Sequence, residues 1–144
     1  MKKYLTFPLV VLFFVAVQAC SDDDSAIDPE PTTKELLLGK WHFERFEDPV
    51  NETSGEFDEC SKKGYWDFTA DGYFLVGEFE PDGAGGCIEY DVYSRPYSLS
   101  VNDEIFLTSP KDGEIYSAII DSISTKTLRL EYSDGYILEF AKPD

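Results

Sequence analysis

Few residues of this 144-residue chain could do chemistry once its 29 carboxylates are set aside: one histidine, His42, and three cysteines, Cys20, Cys60 and Cys87. His42 stands between Trp41 and Phe43 in a segment that reads as a strand, so alternation turns it away from both aromatics and toward solvent. A general base also needs a nucleophile and an orienting partner, and no Gly-x-Ser-x-Gly or comparable nucleophile setting occurs. Two cysteines and one histidine fall short of a zinc ligand set. The stretch Asp82-Gly83-Ala84-Gly85-Gly86 has too few spaced oxygens for a calcium loop and reads as a flexible loop held at its end by Cys87. A glycosidase would need two carboxylates facing across a cleft, a relation that one sequence does not display. Most acids fall at outward strand positions and turns. The expectation is a protein with no catalytic residue, no metal and no cofactor, and so not an enzyme.

Binding is the chemistry that the composition favours. Trp41, Phe43, Trp66, Phe68, Phe74 and Phe140, with the tyrosines, are sufficient to line a cavity for a small hydrophobic or amphipathic ligand. The same rings could fill a small barrel completely, since an eight-stranded interior is barely wide enough for its own side chains. Both readings stay open at this level. Twelve basic residues against 29 acidic ones give a net charge of −17, which repels nucleic-acid phosphates and permits a basic protein partner.

The chain begins with Lys2 and Lys3, then an apolar run of eleven residues from Phe7 to Val17. A membrane-spanning helix needs ~20 apolar residues. A basic start, a short apolar run and small Ala19 before the break read instead as a signal peptide over residues 1–19. Val17-Gln18-Ala19-Cys20 resembles a bacterial lipobox, in which the cysteine becomes the first mature residue and carries acyl chains such as palmitate. Acyl chains contribute ~0.8 kcal/mol per buried methylene, and stable anchoring takes more than one. Ser21-Asp22-Asp23-Asp24 resembles the acidic tract that sends some lipoproteins to the outer face of the outer membrane. Residues 20–34 then form a lipidated cysteine and a flexible tether of acids, prolines and small polar residues. With Cys20 assigned to lipid, Cys60 and Cys87 remain as a pair, and an oxidising exported compartment favours one disulfide between them. Loss of the two lysines with the signal leaves 10 basic residues against 29 acidic, a net charge of −19.

The folded domain is expected over residues 35–144, with one short helical turn at Lys34 to Leu38. After it, aromatic and β-branched residues alternate with polar ones between turn signals, and Asp-Gly occurs four times. A three-residue loop at Ser133-Asp134-Gly135 pairs Leu130 with Leu138, Leu128 with Phe140 and Arg129 with Glu139. A two-residue turn would instead set apolar residues against charges. Ala70-Asp71-Gly72 solves the same way, pairing Phe68 with Phe74 and Trp66 with Val76. Further strands are expected at Lys40 to Glu47, Ile88 to Tyr93, Tyr97 to Val101, Glu104 to Thr108 and Glu114 to Ser124. Asn51 to Glu59 reads as a loop, and Pro96 as a bulge, an edge or a break between two strands. The fold class is all-β: an antiparallel up-and-down meander of about eight strands, closed into a small barrel that removes its edges.

Leu38-Gly39-Lys40-Trp41 ahead of the first strand resembles the Gly-x-Trp signature of lipocalin and wider calycin barrels. Together with Phe68-x-x-Asp71-Gly72 and the two flanking cysteines, it resembles bacterial lipocalin-like lipoprotein domains. The resemblance implies that Trp41 closes the barrel floor. It also implies a monomer on the outer membrane, anchored by lipid at Cys20 and exposed at the cell surface. The arginine that packs on the motif tryptophan in such barrels has no evident counterpart, because Arg129 is assigned to Glu139.

Overall fold

The computed structural model describes residues 30–109 and 112–143. The expected signal segment, Cys20 and the tether up to residue 29 lie outside the described residues. A five-residue helix, α1 (Thr33–Leu37), starts at Thr32, whose Oγ1 accepts from the Glu35 amide while the Glu35 carboxylate accepts from the Thr32 amide. This reciprocal cap satisfies two of the free donors at a helix start. It also holds the Glu35 carboxyl below its ordinary pKa.

Nine strands follow: β1 (Gly39–Asp48), β2 (Thr53–Glu56), β3 (Tyr65–Phe68), β4 (Tyr73–Pro81), β5 (Cys87–Leu99), β6 (Glu104–Thr108), β7 (Ile115–Ile123), β8 (Thr127–Tyr132) and β9 (Ile137–Ala141). Every neighbouring pair is antiparallel, and β9 returns to β1, so eight of the strands close a ring. The ninth, β2, shares one edge of β1 with β3. Gly39 to His42 pair with β3, and Arg45 to Asp48 pair with β2.

Both hairpins solved from register are present, with Trp66 opposite Val76, Phe68 opposite Phe74, Leu130 opposite Leu138 and Leu128 opposite Phe140. Gly72 (φ 86°) and Gly135 (φ 84°) supply the left-handed residue that each three-residue loop requires.

Three expectations are corrected. The Asn51 to Glu59 loop contains β2, a polar strand held by the backbone of β1 and therefore without an apolar alternation to betray it. Pro96 does not separate two strands, because β5 runs through it as one element of 13 residues. Pairing with β6 stops at Tyr97, and the Tyr97 amide donates to the Gly72 carbonyl on the β4 side. The ring nitrogen of Pro96 thus faces the side where no ladder bond is lost. Finally, Asp82 to Gly86 is organised around a carboxylate, with Asp82 Oδ1 accepting from the amides of Ala84 and Gly86 at 2.7 and 2.8 Å.

Candidate functional site

The two ends of the barrel are built differently. At one end Leu37 and Trp41 are fully buried, and the Trp41 indole donates to the Leu37 carbonyl at 2.7 Å. Gly39 takes φ 102°, and a Cβ there would meet the Lys142 stem at 3.3 Å. That side chain runs on across Trp41, its ammonium 4.5 Å from the ring centroid, and donates to the carbonyls of Leu36 (3.0 Å) and Leu38 (2.6 Å). Burial pushes the Lys142 ammonium down from its ordinary pKa, against the opposing pull of Asp67. Lys142 therefore fills the place in which the sequence offered no arginine, and it caps the open carbonyls of α1 at the same time. Phe68 and Phe140 complete the floor at 2 % exposure or less.

At the other end lies a cavity of about 320 Å³. Its inner wall is Phe43, Trp66, Phe74 and Val76, and its outer wall is Phe57, Tyr93, Tyr116, Tyr136 and Leu138, with Glu78 among them. Rings tilt against one another without filling the centre: Phe43 to Phe57 is 5.2 Å between centroids, and Phe43 to Trp66 is 5.9 Å. The bulge in β1 between Phe43 and Arg45 lets Phe46 face inward again, against Phe57 at 5.4 Å. Two larger surface depressions, about 440 and 420 Å³, contain a single aromatic ring between them, that of Tyr132. Of these three the aromatic cavity has the lining that suits an apolar ligand, and its volume lies at the lower end of ligand-site sizes, ~300–1,000 Å³.

One charge meets this wall. Glu78 accepts from the Tyr93 hydroxyl at 2.8 Å and from the Tyr90 hydroxyl. Tyr90 is pushed up to about 12, first by its hydrogen bond to Glu78. Tyr93 is raised by burial and then by the same carboxylate. Both phenols accordingly remain donors at neutral pH. Burial likewise raises Tyr116 and Tyr132. Among the described residues no three of His, Cys, Asp and Glu converge on a point that could hold a metal ion.

The six aromatics singled out from the sequence divide between the two ends. Phe43, Trp66 and Phe74 line the cavity, while Trp41, Phe68 and Phe140 lie at the floor, sealed by their neighbours. His42 lies on the outer face, 6.0 Å from the Tyr65 ring. Cys60 and Cys87 form a disulfide, Cα atoms 5.4 Å apart, that ties the short 3-10 turn Ser61–Lys63 to the start of β5. The sequence reading reaches Tyr93 only as one of the tyrosines and does not single out Glu78. Both were accessible by alternation, since Phe74, Val76 and Glu78 share one face of β4 and Tyr93 pairs with Val76. Phe57 carries no such signal, because it follows a strand rather than lying in one, whereas the hairpin register at Ser133-Asp134-Gly135 sets Tyr136 opposite Tyr132.

An up-and-down barrel with a plugged floor and one open aromatic end defines the class of protein. The lipocalin-like domain family model matches residues 37–130, and the chain belongs to that family. Among solved structures, a lipocalin-like protein from Bacteroides uniformis superposes with a TM-score of 0.58 at 24% identity, covering 75% of this chain and 99% of that one. An uncharacterized protein from Bacteroides eggerthii superposes with a TM-score of 0.55 at 19% identity, covering 74% of this chain and 98% of that one. These likenesses concern the fold. None of the curated proteins matches the chain.

Proposed function

We propose that the chain is a non-catalytic lipoprotein, anchored through Cys20 to the outer membrane and exposed at the cell surface, whose barrel takes up a small hydrophobic or amphipathic molecule. The observation that carries the binding is the cavity of about 320 Å³ between aromatic walls at the end opposite the plugged floor. Removing a ligand's apolar surface from water there contributes ~25 cal/mol per Å², and the rigid rings lose little entropy in doing so. The other reading, an acidic docking module for a basic protein with a filled barrel, is less favoured because the cavity leaves space beside the aromatic rings. The anchor rests on the lipobox-like Val17-Gln18-Ala19-Cys20 and the acidic residues after it.

Mass spectrometry of protein purified from its native envelope tests both parts. A mature chain beginning at acylated Cys20, with a small molecule co-purifying in near-stoichiometric amount, is the expected result. An unmodified Cys20 would overturn the anchor. A ligand-free barrel that also fails to bind octanol in titration would overturn the binding.

A further inference from the structure

The cavity wall has an electrostatic sign. Of its ten lining residues, all described, nine are uncharged and the tenth is Glu78. No lysine, arginine or histidine is among them. Arg95 shares the inward face of β5 but lays its guanidinium on the Tyr93 ring, 5.2 Å from the centroid, and donates to the Ser94 carbonyl. Glu78 is half-buried, and its donors Tyr90 and Tyr93 leave further lone-pair positions on the carboxylate. Phe43, Trp66 and Tyr93 line the same cavity as this carboxylate. A ring face carries partial negative charge and attracts a cation within about 6 Å, more strongly where water is excluded.

Taking the binding cavity as given, we propose that it selects hydrophobic amines: a ligand whose apolar body fills the aromatic interior and whose ammonium group meets Glu78. An anionic amphiphile of the same length would bring a second carboxylate toward Glu78 with no cation on the wall to receive it, an arrangement that costs free energy in a partly desolvated site. A neutral alcohol would gain the burial alone. The net charge of −17 adds long-range attraction for the cation.

Calorimetric titration of the folded chain with octylammonium, octanol and octanoate tests the ordering, because the three share one apolar body. The amine should bind about tenfold more tightly than the alcohol, and octanoate more weakly than either. Glu78→Gln keeps an acceptor for the two phenols and removes the charge. It should cost the amine about tenfold and leave octanol unchanged, which also certifies that the variant is folded. Glu80→Gln removes the same charge from an exposed position on the same strand and should leave the amine unaffected. Equal binding of all three probes would overturn the amine selectivity while leaving a binding cavity. An equal loss from Glu80→Gln would overturn it too, by assigning the preference to net charge. Failure of all three to bind would overturn cavity and selectivity together.

Discussion

The floor and the mouth of this barrel are made from the same strands, yet one is packed solid and the other is open. At the floor, Trp41, Leu37, Phe68 and Phe140 meet with almost no exposure, and the one polar reach, from Lys142, ends on backbone carbonyls. At the mouth the inward positions pass to Tyr93, Tyr116 and Tyr136, with Glu78 among them. Each of these carries a polar tip that must find a partner or water. A short helix covers the first end, whereas cavity-lining rings such as Phe43 and Tyr93 stand at the second. Stability and binding are thereby assigned to opposite ends of one sheet.

The largest effect should come from emptying the floor. Trp41→Ala removes a fully buried ring and its hydrogen bond to Leu37, and should destabilise the fold by ~3–5 kcal/mol, read as a lowered urea midpoint. A loss below about 1 kcal/mol would show that the floor is not where the fold is held. Next in size is the disulfide. Cys60 and Cys87 are separated by 27 residues, and their cross-link should contribute ~3 kcal/mol by restricting the unfolded chain. Cys60→Ala/Cys87→Ala should therefore lower the midpoint while leaving the Trp41 floor intact by near-ultraviolet circular dichroism.

The mouth should announce itself in alkali. Burial raises Tyr116 and Tyr136, and burial with Glu78 raises Tyr93, so the folded state prefers their neutral forms. The unfolded phenols titrate near ~10. The stabilisation is therefore complete below that pH and is lost as pH rises through the higher folded values, by on the order of 1 kcal/mol per pH unit for each tyrosine withheld. Thermal midpoints should be level up to about pH 10 and fall above it. Phenolate absorbance should lag behind that of the unfolded chain. A tyrosine spectrum that titrates like free phenol would mean that the mouth is wetter than its geometry implies.

How much of this was legible in the sequence depends on whether a residue is held by its own strand or by a distant one. The hairpin registers at Gly72 and Gly135 could be read because a slip of one residue would turn Leu130 and Phe68 to water. The strand β2 could not, because Thr53 to Glu56 are polar and are ordered by the backbone of β1 rather than by an apolar face. The role of Trp41 was legible from its motif, but its partner Lys142 was not. That contact joins the first strand to the residue after the last, and such a lysine looks in sequence like any solvated charge. Glu78 was legible and was overlooked, since acids in so acidic a chain draw attention only when alternation is followed residue by residue.

The smallest effects compare single polar groups at the two ends. Lys142→Met keeps the stem that crosses Gly39 and Trp41 but removes the ammonium, leaving the Leu36 and Leu38 carbonyls without their donor. Loss of those bonds and of the cation on the ring should cost ~1–2 kcal/mol. Lys142→Arg should recover most of it, because a guanidinium can both stack on the ring and donate. Tyr136→Phe at the mouth deletes one hydroxyl from a wall that is already open, and should change stability by no more than ~0.5 kcal/mol. Measured together by urea titration, these variants decide whether polar groups matter to the fold only where the interior is closed. If Tyr136→Phe costs as much as Lys142→Met, the mouth is held by its hydroxyls, and the division between a structural end and a binding end fails.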